Sequence, residues 1–179
     1  MTLAARDVER WARQIILPEV GGRGQERLLG ATAAIIGTSD AARFAADLLV
    51  RAGLRADDAG PSDVVVDFSG DRAGLLARGR AARDARRPFV VVLGGAEAVV
   101  VATLVGRPCI ECAPLAATSA EPGGPLALAL GALAAGEALR VLLARPASGR
   151  IQSLDVRGGG LASRELGGPG CAACEATSP

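Results

Sequence analysis

The chain has no histidine, no lysine and no tyrosine, and its aromatic residues are one tryptophan and three phenylalanines among 179 positions. Without histidine there is no imidazole to ligate a metal or act as a general base, and without lysine there is no amine for Schiff-base chemistry. All 20 basic side chains are therefore arginines, set against 19 acidic ones for a formal net charge of +1. They are interspersed with carboxylates and form no dense basic patch, which argues against nucleic acid as the principal partner. Half the residues are hydrophobic, so a core of Ala, Val, Leu and Ile is expected, with small side chains that let helix and sheet pack closely.

The first ten residues carry Arg6, Asp7, Glu9 and Arg10 and lack the apolar stretch of a signal peptide. The uncharged run from Pro122 to Gly136 is shorter than the roughly 20 residues that span a bilayer, and Glu137 and Arg140 follow it. A cytoplasmic protein with no membrane segment is expected. The length suits one domain with a real core, and no internal repeat or low-complexity segment divides it.

The apolar pattern predicts a helix over about 5–16, ending before Pro18, and a short helical turn over 25–29, ending at Gly30. Residues 31–37 (ATAAIIG) form an apolar run that stops at glycine, and 40–52 has helical spacing through Phe44, Leu48 and Leu49, closed by Gly53. This reads as strand, tight turn and helix. The polar stretch 55–63 reads as a loop. A strand over 64–68, an arginine-rich helix over about 71–86 and a buried strand over 88–93 follow, with 98–105 as a hairpin partner. A long apolar helix is expected over about 122–144, then two exposed antiparallel strands over 149–156 and 161–166. Helices alternating with strands early and hairpins late predict an α/β sheet with a mixed edge.

Cys109/Cys112 and Cys171/Cys174 are two Cys-x-x-Cys knuckles that use every cysteine in the chain. In a reducing compartment this spacing favours four thiolates around one structural Zn²⁺ over disulfides. The other readings are reduced, unliganded cysteines and a redox pair, which lacks a thioredoxin-like context. A closed four-thiolate site leaves no open position for metal catalysis.

The run 10–29 (RWARQIILPEVGGRGQERLL) resembles the N-terminal segment of the ThiF/MoeB/HesA family of ubiquitin-activating-like adenylyltransferases. In the place of that family's nucleotide-binding strand and glycine turn stand Ile35, Ile36, Gly37, Thr38, Ser39, Asp40, Ala41 and Ala42. Arg51, Ala52 and Gly53 resemble the Arg-Ala-Gly after the family's first helix. Cys109-Ile110-Glu111-Cys112, Glu137-Ala138-Leu139-Arg140, Ser148-Gly149-Arg150-Ile151 and Cys171-Ala172-Ala173-Cys174 follow in the family's order. The resemblance implies a single truncated Rossmann-like α/β domain over 1–179, with a mixed sheet and flanking helices. Its N-terminal helical segment would cover 1–30, the shortened core 31–105, and a zinc-binding, antiparallel part 106–179.

The chain departs from the family where nucleotide would bind. Ser39 stands where a second glycine lets backbone N–H groups approach a phosphate, and Ala42 replaces the third glycine. Asp40 sets a carboxylate at a helix N-terminus, where a phosphate about 4 Å away would meet roughly 4 kcal/mol of repulsion at an effective dielectric near 20. Ser39 or Asp40 is expected to be an N-cap. Asp57 and Asp58, read as loop residues, are not assigned to ribose. The family's magnesium-binding Asp aligns with Gly70 in Asp67-Phe68-Ser69-Gly70-Asp71; Asp71 could substitute, and its competing role is a helix cap. Where some family members carry a sulfur- or thioester-bearing Cys, this chain has Ser119.

Arg13, with Arg10 beside it, falls in the segment from which the family reaches across a dimer to the ATP phosphates of the other subunit. A guanidinium offers a bidentate fork for phosphate; a solvated or salt-bridged helix face is the other reading. The resemblance implies a homodimer, or a heterodimer with an active paralogue, that assists activation of a ubiquitin-like or sulfur-carrier protein without binding ATP and magnesium itself. A minimal ATP-dependent adenylyltransferase and a nucleotide-free binding module for a ubiquitin-like protein are the alternatives.

Overall fold

The computed structural model describes residues 3–57, 60–94, 98–113, 123–143, 149–155, 157–166 and 171–175. Asp58, Ser119, Pro122 and Ser148, named above, lie outside them.

The N-terminal segment is helical, but as α1 (Ala5–Arg10) and α2 (Ala12–Ile15), broken at Trp11 (φ −106°, ψ 19°). The expected turn after it is a full helix, α3 (Gly21–Gly30). Packing overrides the poor helix propensity of its glycines: Gly24 is buried so closely that a Cβ there would lie 2.9 Å from Leu143. Next come β1 (Thr32–Ile36) and α4 (Asp40–Ala52). Ser39 caps α4, its Oγ accepting from the Ala42 amide at 3.1 Å, and Gly53 ends the helix in the left-handed region at φ 107°. Gly24-Gln25-Glu26, within the run 10–29, and Arg51-Ala52-Gly53 meet here. Gln25, fully buried in α3, donates its amide to the Ala52 carbonyl at 2.9 Å.

The reading of 55–63 as a loop is overturned. Arg55–Asp57 is a strand, β2, parallel to β1, with Thr32 opposite Arg55 and Ala34 opposite Asp57. All its side chains are exposed at the sheet edge, so no apolar pattern betrays it; backbone pairing, including the Arg55 amide to the Ala31 carbonyl at 3.0 Å, makes the strand.

Then follow β3 (Val64–Asp67), α5 (Arg72–Asp84), β4 (Phe89–Gly94), β5 (Ala98–Leu104), α6 (Gly124–Leu142), β6 (Arg150–Asp155), β7 (Leu161–Glu165) and the single turn α7 (Ala172–Glu175). The sheet order is β2-β1-β3-β4-β5-β6-β7, parallel as far as β4 and antiparallel beyond it. The predicted mixed α/β sheet is what forms. β7 is exposed throughout, as expected, whereas β6 buries Ile151 and Gln152.

Alternation along the strands divides the core. Ala33, Val64, Val66, Val90, Val92, Val99 and Val101 face α3, α4 and α6. Ala34, Val65, Phe89, Val91, Leu93, Ala102 and Leu104 face α5 and Ile110. By length and hydropathy α6 could cross a membrane, yet here it packs against α4 and strands β3, β4 and β5. Glu137, 4% exposed, anchors it to the sheet: Thr103 Oγ1 donates to its carboxylate at 2.6 Å and Arg140 pairs with it at 2.6 Å.

Candidate nucleotide crevice and metal centre

The chain passes from β1 to β2 on one side, then crosses to β3 on the other. This makes β1/β3 a topological switch point, and the crevice outside its carboxyl ends is where open α/β sheets bind ligands. Gly37 closes β1 at φ 115°, and a Cβ there would stand 3.1 Å from Phe68 Cβ and 3.2 Å from its carbonyl carbon. The glycine is required by the close approach of the two strand ends as well as by its backbone conformation.

Sequence-predicted residues converge on this edge, each with a partner from the chain itself. Ser39 caps α4, and Asp40 at its first turn pairs with Arg43, which also donates to the Thr38 carbonyl at 3.0 Å. Both partners of that pair are well exposed, so it contributes little to stability. Asp71 caps α5, its carboxylate accepting from the Ala73 amide at 3.2 Å and the Gly74 amide at 2.9 Å.

Two further residues matter that were not read as site residues. Asp67, wholly buried at the end of β3, accepts from the Ser69 amide at 2.9 Å and from Arg78 Nε at 2.5 Å, while Arg78 also donates to Ser69 Oγ at 2.6 Å. A guanidinium thus sits against the carboxylate at the carboxyl edge. Asp57 is the last residue of β2, the place of a ribose-binding acid in a dinucleotide fold. It lines an open hollow of about 300 Å³ with Ile35, Gly37, Ala42, Arg43, Ala46 and Ala56. Asp57 could have been found only by accepting a three-residue polar strand.

Arg10 and Arg13 stand on α1 and α2 and do not line this hollow. Arg10 is stacked over the Trp11 ring at 4.9 Å. Arg13 is exposed.

The four cysteines come together. Cys109 and Cys112 follow β5, and Cys171 and Cys174 bracket the start of α7. Their sulfurs all lie within 4.8 Å of one another, at 3.8 Å for Cys109–Cys112, 3.6 Å for Cys109–Cys171, 3.5 Å for Cys112–Cys174 and 3.9 Å for Cys171–Cys174. A tetrahedron of thiolates about 2.3 Å from Zn²⁺ has edges of about 3.8 Å. The donor set therefore fits a structural zinc ion, and the separations exceed the roughly 2.05 Å of a disulfide. Arg107 donates to the Cys174 carbonyl at 2.5 Å, tying the second knuckle to the first.

Burial pushes the Cys109 thiol up, and pushes Cys112 up to about 12. At Cys174 burial also acts upwards, but hydrogen bonds from the Cys171 backbone and from Cys109 and Cys112 outweigh it and bring the thiol down to about 7. Cys174 is thus partly ionised near neutral pH, while Cys109 and Cys112 hold protons that a metal must displace.

No family model matches the sequence, and no curated protein does. Solved structures do. MccB of E. coli, in a crystal with MccA-N7isoASN, superposes with a TM-score of 0.75 at 12% identity over 92% of this chain and 74% of MccB. PaaA superposes with a TM-score of 0.74 at 12% identity over 92% of this chain and 84% of its own. MccB in complex with N-formylated MccA gives 0.72 at 12% identity over 96% and 77%. At such identities the likeness is one of fold, a mixed α/β sheet flanked by helices shared with MccB and PaaA, here combined with a four-cysteine cluster of metal-binding geometry.

Proposed function

We propose that this protein is a non-catalytic, ubiquitin-activating-like subunit that dimerises, with itself or with an active paralogue, and assists activation of a ubiquitin-like or sulfur-carrier protein. The observation that carries this reading is the Asp67–Arg78–Ser69 cluster at the end of β3, where the chain's own guanidinium engages the buried carboxylate. Asp71, the remaining carboxylate of that turn, spends both oxygens capping α5. Asp40 places negative charge at the start of α4, and no lysine exists to contact a phosphate. Arg13 makes no hydrogen bond or ion pair with the described residues, so it can be offered in trans, whereas Arg10 is engaged with Trp11. Zinc held by Cys109, Cys112, Cys171 and Cys174 plays a structural part.

The partner class rests on the resemblance of the N-terminal segment and on the fold shared with MccB, which has been crystallised with MccA. Titrating the zinc-loaded protein with ATP and Mg²⁺ by calorimetry tests the reading, together with an assay for adenylation of a Gly-Gly-ending carrier. Adenylation by this chain alone would overturn it.

A second reading is favoured by Asp57. The hollow between β1, α4 and β2 has the dimensions and the terminal acid to hold a nucleoside, and MccB, of the same fold, has been crystallised with ATP. A minimal adenylyltransferase would bind ATP there, with Asp71 released from its cap to hold magnesium. Loss of ATP binding in Asp57→Ala would separate this reading from the first.

A further inference from the structure

The arginine-rich helix α5 lies along the first cysteine knuckle, meeting it at Gly79 and Arg80. Gly79 lets the helix come so close that a Cβ there would stand 2.8 Å from Ile110 Cβ. Arg80 donates to Glu111 Oε1 from Nε at 2.8 Å and from a terminal nitrogen at 2.5 Å. Arg83, one turn further along the same face, pairs with Asp84 at 2.9 Å, and its pKa is raised chiefly by that carboxylate, with a smaller contribution from the neighbouring Cys109. Its side chain is 13% exposed, and Cys109 is 2% exposed.

We propose that Arg83 is a positioning residue of the metal site, an outer-shell guanidinium that donates to Cys109 Sγ and stabilises the charge of the four-thiolate zinc centre. The chemistry calls for such a group. Four thiolates around Zn²⁺ leave a net charge of about −2, and Cys109 and Cys174 carry their share almost without solvent. A buried anion needs hydrogen-bond donors or a countercharge. Glu111, the one carboxylate inside the first knuckle, is turned towards Arg80, which relieves its repulsion of the sulfurs. The approach at Gly79 fixes the helix face, so Arg83 is delivered by packing and not by a flexible loop. The helix thus supports the metal site as well as covering the sheet. This inference rests on zinc occupancy and is independent of whether the chain turns over nucleotide.

The experiment compares zinc retention against a chromogenic chelator, and the thiolate-to-metal charge-transfer spectrum of the cobalt-substituted protein, in wild type, Arg83→Gln, Arg83→Lys and Arg80→Gln. Arg83→Gln is expected to weaken apparent zinc affinity by roughly 10- to 100-fold and to shift the charge-transfer band. Arg83→Lys should recover most of both, and Arg80→Gln, which breaks a neighbouring contact without touching sulfur, should leave the band in place. In cadmium-substituted wild type, scalar coupling between the metal and the Arg83 guanidinium protons reads the N–H···S bond with no mutation. Arg83→Gln within twofold of wild type with an unmoved band would overturn the proposal, as would absence of that coupling; a wild type that retains no metal would overturn the zinc reading as well.

Discussion

Placing a methyl group at Gly131 should drive α6 off α4, whereas the same change at Gly136, further along the same helix, should stabilise the protein. An ideal Cβ on Gly131 would lie 2.6 Å from the Ala41 carbonyl oxygen, 3.2 Å from the Ala45 amide nitrogen and 3.3 Å from Phe44 Cβ. Carbon–oxygen contacts settle at about 3.3 Å or more, so the helices must part by roughly 0.7 Å. The obstacle is the backbone of α4, which cannot rotate away as a side chain could. Overpacking costs about 1–3 kcal/mol, and rigid neighbours place this site near the top of that range. Replacing glycine by alanine in a helix interior returns about 1 kcal/mol, for a net loss of about 2 kcal/mol. At Gly136 a Cβ meets nothing within 4 Å, and only the gain of about 1 kcal/mol applies. For a chain of this length each kcal/mol moves the midpoint by about 2–4 °C. Thermal and urea unfolding of the zinc-loaded variants, followed by circular dichroism, should thus place Gly131→Ala about 4–8 °C below wild type and Gly136→Ala about 2–4 °C above it. Equal midpoints for the two variants would refute the reasoning, because they share the change in propensity and differ only in what the methyl meets.

Three other outcomes follow from the same geometry. Zinc affinity should fall with acid: Cys109 and Cys112, both pushed up by burial and Cys112 to about 12, are protonated at neutral pH and must each release a proton to bind. The apparent constant should therefore drop by at least about 100-fold per pH unit near neutrality, and a single-proton slope in a competition titration would contradict this. Arg78→Leu should cost about 2–3 kcal/mol in urea unfolding, somewhat below the usual value for a broken buried pair, because Arg78 is one-third exposed whereas the Asp67 carboxylate it abandons is wholly buried; Asp67→Asn should cost less. Asp71→Ala should lose about 1 kcal/mol while Asp71→Asn stays within a few tenths, since asparagine caps as well as aspartate, and equal losses would deny the capping role.

The sequence was legible where burial imposes a period. The β1–α4 unit, with its Ser39 cap and Gly53 stop, the β4/β5 pair and α6 all carry apolar patterns that fix their type. It was misleading where backbone pairing or packing acts without such a pattern. β2 is polar and fully exposed, so its pairing with β1 left no trace, and with it Asp57 was lost as a crevice residue. α3 packs Gly24 against Leu143, a contact between residues far apart in the chain. Both Cys-x-x-Cys pairs were readable because zinc needs that spacing, but their convergence and the alignment of Gly79 and Arg80 along the first knuckle are tertiary facts. The buried Asp67–Arg78 pair joins the end of a strand to the middle of a helix, a separation at which no local rule operates.

The most direct test of the account is calorimetric titration of the zinc-loaded protein with ATP and Mg²⁺, with its mass in solution measured on the same sample. No heat of binding up to millimolar ATP, and the mass of a dimer, are expected. Micromolar binding, abolished by Asp57→Ala, would contradict this and make the hollow beside β2 a working nucleotide site.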